Sequence, residues 1–496
     1  MFESAELGHK IDKKTYDKTV PKLRADLLDM QYAVLQAKRF PIIILINGVE
    51  GAGKGETANL LSEWMDPRHI ETHAFPAPSD EERERPPMWR FWRALPAKGK
   101  IGIFFGNWYT DAVVQRVIGN TKTVAFDKQL SEIKRFEKIL ADEGALIFKF
   151  WFHLSKPDQK VRLKELEKDP KTRWRVTEND WQRFKQYDRY VDISEHALRT
   201  TSQGYAPWIV VAGKDPRYRS VEVGSILLDS MKKRLKWKGD TTLRVSAAPT
   251  VHPIDKANLL NSLDLTQTIS KKKYAEQLEI WQGRLNLLSR HERFKGHSLI
   301  LLFEGNDAAG KGGSIRRITQ ALDARQYQVV PVASPTEEER AQPYMWRFWR
   351  HVPRRGRVTI FDRSWYGRVL VERVEGYCSE ADWMRAYGEI NDFEDQFTAA
   401  GAVIVKFWLT ISQDEQLRRF KEREKTRFKR FKITAEDWHN REKWPLYEEA
   451  ICAMVDRTST EIAPWTLVEA NDKNYSRIKI LKTVCQRLEV AIKGKS

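Results

Sequence analysis

Cysteine is nearly absent. Only Cys378, Cys452 and Cys485 occur in 496 residues, and no two have the spacing of metal ligands. Neither a disulfide framework nor a zinc site is expected, and a reducing, cytoplasmic setting is. Long apolar runs are also missing. Stretches such as Pro41 to Ile46 and Ala402 to Val405 have only strand length, so no membrane-spanning helix is expected. The opening MFESAELGHK lacks an apolar signal-peptide core and a cleavage site, so no secretion signal is expected. The ten histidines form no arrangement that suggests a nucleophilic centre. No zinc-finger, RNA-recognition or helicase motif is present, which argues against specific nucleic-acid binding. Acid is in short supply: 68 Asp and Glu face 86 Lys and Arg, a formal charge of +18. Such a surplus favours polyanionic partners, whether nucleic acid, polyphosphate, phosphorylated metabolites or anionic lipid.

What is present, the chain carries twice. PSDEERERPPMWRFWR (Pro78 to Arg93) matches PTEEERAQPYMWRFWR (Pro335 to Arg350) at 11 of 16 positions, with an offset of 257. The same offset aligns Gly48 with Gly305, Lys54 with Lys311, Trp108 with Trp365 and Trp151 with Trp408. A repeat of this length is a whole domain rather than a solenoid unit. The expected organisation is a first domain over 1–240, a linker over 241–260 and a second domain over 261–496. Each half opens with a helical pattern, Lys18 to Phe40 and Tyr274 to Phe294, followed by an apolar run, PIIILIN or SLILLFE. Further strands are expected at Gln328 to Val332, Val358 to Phe361, Ala402 to Leu409 and Trp465 to Glu469. Strands alternating with helices imply an α/β fold with a parallel sheet covered on both faces.

After SLILLFE comes GNDAAGKGG, Gly305 to Gly313, and then a helical segment. This is GxxxxGK in the strand-to-helix setting that a phosphate-binding loop needs. Glycines let the backbone wind around an anion, so that amides and the helix N-terminus point at phosphate oxygens. Lys311 would reach the donor phosphates. The first copy reads GVEGAGKG, Gly48 to Gly55. The Ser or Thr that usually follows the Lys and binds Mg²⁺ is replaced by Gly312, and by Gly55 in the first copy. A metal must therefore find other ligands. Asp307 within the loop and Asp362 at the end of VTIFD are the candidates.

Arg363 and Arg368 follow Asp362 in RSWYGRVLVER, at the edge of the sheet where phosphates would sit. Planar guanidinium forks suit phosphate oxygens and offset the charge of a phosphoryl group in flight. The upstream Arg347, Arg350, Arg354, Arg355 and Arg357 read better as a solvated basic face. A second basic run, RRFKEREKTRFKRFK (Arg418 to Lys432), holds nine Lys or Arg against two Glu and sits where P-loop kinases carry a lid.

The copies are unequal. At the shared offset Asp307 becomes Glu50, Asp362 becomes Phe105, Arg363 becomes Gly106 and Arg368 becomes Asp111. In the lid, Arg418 becomes Val161, Arg423 becomes Leu166 and Arg427 becomes Pro170, while Lys54 and the loop glycines survive. Replacing a metal-binding carboxylate by Phe removes a ligand that small shifts cannot restore. The first copy is therefore expected to do no phosphoryl transfer.

With GNDAAGKGG, MWRFWR, FDRSWYGR, KFWLTIS, the basic lid and the closing PWTLVEANDK in order, the chain resembles the second polyphosphate kinase family. The likeness covers about Leu299 to Lys482 and, more weakly, about Pro41 to Leu235. It implies two tandem thymidylate-kinase-like P-loop domains, each a parallel sheet flanked by helices, with a lid over about 413–443. By motif match Asp307, Lys311, Asp362, Arg363 and Arg368 form the catalytic set. Asp307 and Asp362 would hold Mg²⁺, for which Mn²⁺ could substitute. Gly305, Asn306, Ala308, Ala309, Gly310, Gly312 and Gly313 would cradle phosphate, and Arg418, Arg419 and Arg423 would hold polyphosphate. Glu372 lies in a family motif with its role open. In this family a glycine after the P-loop Lys is normal. The fused two-copy form is similar to members that move a terminal phosphoryl group from polyphosphate to AMP, giving ADP reversibly. The partners implied are inorganic polyphosphate and AMP or ADP, with no membrane, no specific nucleic acid and room for a homo-oligomer. Three rivals stand beside this reading: a polyphosphate-dependent nucleoside diphosphate kinase, an ATP-using monophosphate kinase and a non-catalytic polyanion-binding protein.

Overall fold

A computed structural model of the chain describes residues 1–237, 258–427 and 433–493. Most of the expected linker, residues 241–257, lies outside the described residues, as do residues 428–432 of the basic lid.

The apolar runs form two five-stranded sheets. The first holds β1 (Ile42–Gly48), β2 (Ile70–Ala74), β3 (Ile101–Phe105), β4 (Leu146–His153) and β5 (Trp208–Ala212). The second holds β6 (Ser298–Gly305), β7 (Tyr327–Pro331), β8 (Val358–Asp362), β9 (Ala402–Thr410) and β10 (Trp465–Glu469). The order is β2-β3-β1-β4-β5 in one and β7-β8-β6-β9-β10 in the other, and every pairing is parallel. Both central strands are buried almost throughout. Parallel sheets need this, because their crossover helices cover both faces. In each sheet the connections leave the central strand toward opposite sides, and the crevice at its C-terminal end is where such folds take ligands. The four strands expected in the second copy are present, with boundaries moved by a single residue at most. The chain packs as two units. One holds β1–β5 and takes in Pro335–Arg347, and the other holds β6–β10 and takes in Ser79–Trp89.

The opening helices differ from expectation at their ends. The first runs Lys13–Ala37 rather than from Lys18. Asp12 caps it, accepting from Thr15 N at 2.9 Å, and Lys38 ends it in a left-handed conformation. Its second-copy counterpart is Lys271–Ser289, followed by a short 3₁₀ turn at Glu292–Gly296.

Each unit also buries a charged pair. Lys406 Nζ donates to Glu394 Oε2 at 2.7 Å and to Thr458 O at 2.7 Å. Tyr366 OH and Trp365 Nε1 donate to Glu394 Oε1 at 2.7 and 3.1 Å. In the first unit Lys149, Glu137, Thr201, Tyr109 and Trp108 repeat the arrangement. Every charged atom has partners, as burial requires. The pair ties β4 or β9 to the segment following β3 or β8, so it fixes the strand end from which a site is built.

Candidate active site

The second unit's phosphate-binding loop joins β6 to the helix Lys311–Thr319. Gly305 has φ 149°, and a Cβ there would lie 2.5 Å from Leu409 O, so the position needs glycine. Ala308 (φ 66°) and Gly310 (φ 113°) continue the left-handed winding. Among the described residues, the amides of Asp307, Ala308, Gly310, Lys311 and Gly312 donate to no protein acceptor. They form a concavity of donors suited to an anion. Lys311 Nζ curls back to Gly305 O at 2.6 Å and Asn306 O at 3.4 Å. Burial pushes its pKa down, opposed by the charges of Asp307 and Asp362.

Asp307 sits at the mouth of the loop. Its Oδ1 accepts from Arg363 Nη2 at 3.3 Å and its Oδ2 from Asn440 Nδ2 at 2.9 Å. Asp362 closes β8 beside β6, paired in register with Phe303. Arg363 follows with φ 63°, a conformation costing about 1–3 kcal/mol for a residue with a Cβ. Its first-unit counterpart, Gly106, has φ 61° and bears no such cost. The second unit thus keeps an arginine where the backbone favours glycine, and that arginine contacts the loop carboxylate.

Among the described residues, no group of three or more His, Cys, Asp or Glu is assembled to hold a metal. Mg²⁺ does not require one. It is commonly held by one or two carboxylates, with substrate phosphates and water completing the shell. Asp307 and Asp362 both act on Lys311, and Asp307 is held only by exchangeable side-chain donors, so the residues present fit such an ion.

One expected polyphosphate-binding residue is placed elsewhere. Arg419, expected to hold polyphosphate, is 2% exposed with all five donors committed. Its Nε meets Glu415, its Nη1 donates to Ala308 O and Ala309 O, and its Nη2 donates to Ala470 O and Asn471 O. It braces the loop from behind and cannot grip a chain in front. Arg368 Nε pairs with Glu372 Oε2 at 2.7 Å. Arg418 is exposed on the helix Gln413–Lys425 and pairs with Glu415 and Glu422, and Arg423 lies half-buried on the same helix. Of the upstream arginines, Arg347 pairs with Glu339 and Arg357 donates to Arg325 O, as a structural basic face would.

Other cleft residues escaped the sequence reading. Glu304 is a buried carboxyl at the end of β6 that accepts from Ser364 Oγ at 2.7 Å, and burial pushes its pKa up. A lone acid closing an apolar strand was the available signal. Asn440, Trp408, Trp444 and Tyr447 also line the cleft, and their sequence spacing gave no sign of it.

The first unit's loop holds its charges in ion pairs. Lys54 Nζ donates to Gly48 O at 2.8 Å and pairs with Glu50 at 3.2 Å, and Arg183 holds the same Glu50 at 2.6 Å. Glu56 pairs with Arg162, Arg175 and Arg219. Arg219 donates to Ala52 O and Gly213 O, the counterparts of Ala309 and Ala470. It performs the bracing of Arg419 from a different helix, Pro216–Lys236.

A family model described as polyphosphate kinase 2 matches residues 10–239 and 268–496. A polyphosphate:AMP phosphotransferase of Pseudomonas aeruginosa is 60% identical over 493 residues, 99% of each chain. Another, from Acinetobacter johnsonii, is 35% identical over 475 residues, 94% of this chain and 96% of its own. A crystal structure of a putative polyphosphate kinase 2 from Pseudomonas aeruginosa superimposes with a TM-score of 0.89 at 57% identity, covering 99% of both chains.

Proposed function

Because the chain belongs to the polyphosphate kinase 2 family, we propose that its second unit moves the terminal phosphoryl group of inorganic polyphosphate onto AMP, giving ADP. One observation carries the assignment to that unit. Asp307, Lys311 and Arg363 converge at an open phosphate loop beside Asp362, whereas the first unit has Phe105 and Gly106 in place of the last two. The relatives matched over their full length carry the AMP-specific name.

Polyphosphate lies along the loop amides, with Arg418 and Arg423 of the lid helix offsetting its charge. Lys311 exchanges its carbonyl partners for phosphate oxygens. Arg363 stands at the transferring group, where it neutralises developing charge and orients an in-line approach. A phosphate oxygen of AMP forms the new P–O bond as the bond to the shortened polyphosphate breaks. The acceptor is already anionic near neutral pH, so no strong base is needed. Asp307 and Asp362 would hold Mg²⁺, which supplies charge neutralisation between the phosphates. Both sides of the reaction are phosphoanhydrides, so it runs backward when ADP is abundant. No described helix is long and apolar enough to cross a membrane, and the setting proposed is the cytoplasm.

The test is ADP formation from AMP, Mg²⁺ and long-chain polyphosphate with no ATP present. ADP is the expected product. ADP formed only when ATP replaces polyphosphate would overturn the donor. ATP formed from ADP, with AMP left untouched, would keep the donor and overturn the acceptor.

A further inference from the structure

The loop carboxylates Asp307 and Glu50 stand at one position of the repeat. Their backbones are held alike. Gln416 Nε2 donates to Asp307 O at 3.1 Å, and Gln159 Nε2 donates to Glu50 O at 3.0 Å. Their side chains are held differently. Both meet a second shared position, which is Asn440 in the second unit and Arg183 in the first. Arg183 Nη1 donates to Glu50 Oε1 at 2.6 Å, and Lys54 Nζ pairs with Glu50 Oε2 at 3.2 Å. Two cations therefore already neutralise Glu50. Asp307 instead receives the neutral amide of Asn440 at 2.9 Å, with Arg363 at a longer 3.3 Å.

The amide serves a carboxylate in one orientation only. A metal-binding carboxylate accepts and does not donate, so Asn440 must present Nδ2 and turn Oδ1 away. Oδ1 then receives Tyr447 OH at 3.2 Å. Tyr447 has one proton and a second acceptor within reach, Glu375 Oε1 at 3.3 Å. Glu375 does not depend on that proton. Lys443 Nζ donates to Glu375 Oε2 at 2.6 Å, and His439 Nε2 lies 3.1 Å from the same oxygen. The tyrosyl proton is left to fix the amide. Asn440 stands on the helix Ala435–Glu442, which Thr434 and Asp437 cap reciprocally and which Arg441 Nη1 ties to Gln413 O at 2.7 Å. Tyr447 stands on the next helix, Trp444–Thr458. The first unit does not repeat the arrangement. Ile118 replaces Glu375, and Tyr190 OH turns to Gly48 O at 3.5 Å.

We infer that Asn440, set by Tyr447, is a positioning residue that aims Asp307 at a divalent cation while leaving the carboxylate's charge available to it. An arginine at the same position, as in the first unit, ties the carboxylate up. Partners that orient a metal ligand commonly change metal affinity by about 10- to 100-fold, so the identity of this one residue is a large lever. The inference rests on the proposed function for the cation's place between the phosphates.

The test transplants the first unit's arginine as Asn440→Arg in the full chain. Mn²⁺ is the probe, and its Kd is read by electron paramagnetic resonance without polyphosphate or nucleotide. Asn440→Arg should weaken Mn²⁺ binding about tenfold or more. Tyr447→Phe, which removes only the hydroxyl, should weaken it about threefold to fivefold. The Mg²⁺ concentration for half-maximal ADP formation should rise by the same factor in Tyr447→Phe. A merely structural role would lower the melting temperature and leave the metal affinity of the folded protein unchanged. A folded Asn440→Arg protein with the wild-type Kd overturns the inference. If Asn440→Arg does not fold, a wild-type Kd or an unchanged Mg²⁺ requirement in Tyr447→Phe overturns it alone. A wild-type Kd in Asp307→Asn overturns it too, because the amide would then orient no ligand. A wild type that binds Mn²⁺ yet forms no ADP from AMP and polyphosphate overturns the functional reading instead, so the two failures are distinguishable.

Discussion

The two units agree in their interiors and disagree at one edge. Strand order, parallel pairing and the buried Lys–Glu pair are repeated, down to hydrogen-bond lengths that match within about 0.1 Å for the Lys–Glu contacts. The difference gathers at the C-terminal ends of the strands. There Asp307 and Arg363 of the second unit line a cleft, while the first unit ties Lys54 to Glu50 and turns Glu56 onto three arginines. A fold demands that a buried charged pair be satisfied, and this holds for both copies. A site demands that some groups stay available to a ligand, and in the second copy Asp307 and Arg363 line an open cleft. Arg363 makes the distinction sharpest. It adopts a left-handed backbone that Gly106 adopts without strain, so its side chain is kept against a local cost.

The hardest way to break this comparison is to remove a carboxylate from each loop region. Asp362→Asn should lower turnover about 10³-fold or more while leaving the melting temperature nearly unchanged. Glu50→Gln should leave turnover at the wild-type level. Steady-state kinetics on the two variants decide it. A severe loss in Glu50→Gln would mean that the first unit takes part in the chemistry.

The buried pair should behave in the opposite way, alike in both units. Lys406→Met leaves Glu394 buried without its counter-charge, and Lys149→Met does the same to Glu137. Each should cost about 3–5 kcal/mol of stability, read from denaturant unfolding. Unequal losses would show that one unit depends on its pair for more than packing.

The braces come next in size. Arg219→Ala should cost stability by about 1–3 kcal/mol, because carbonyls and Glu56 lose buried donors, with no effect on turnover. Arg419→Ala should cost a similar amount and also lower turnover, because its donors hold Ala308 O and Ala309 O of the working loop. Normal kinetics in a folded Arg419→Ala protein would remove the bracing role.

Much of this contrast was legible in the chain. The repeat exposed the proposed site residues that the first copy lacks, and apolar runs located the second copy's strands to within a residue because burial on both faces leaves little freedom. Arg419 was misread because charge was counted without helical phase. Gln416, Arg419 and Phe420 are buried together, spaced as i, i+3 and i+4, so they share the helix's inner face while Arg418 looks outward. That spacing was available. Arg219 was not legible, since its equivalence to Arg419 exists only where two different helices approach the same carbonyls. The first helix began earlier than expected because Asp12 offers a cap before any apolar period starts.

Glu304 gives the smallest effect and refines the comparison, because the first unit has Asn47 at its position. Burial raises the carboxyl pKa of Glu304 in the folded protein, partly offset by the Ser364 hydroxyl and by the charge of Lys311. Below the ordinary carboxylate pKa both folded and unfolded chains hold the proton, and the residue contributes nothing to pH dependence. As pH rises through the unfolded value toward the raised folded one, the unfolded chain releases its proton first. The folded state therefore loses relative stability over that window, and the deficit is complete above it. Glu304→Gln keeps the shape and the acceptor for Ser364 but removes the titration. The variant should gain thermal stability over wild type, with a gain larger at pH 8 than at pH 5. A gain independent of pH would show that Glu304 is not the titrating group, and a loss at pH 8 would show that its carboxylate is stabilised by the cations around the loop.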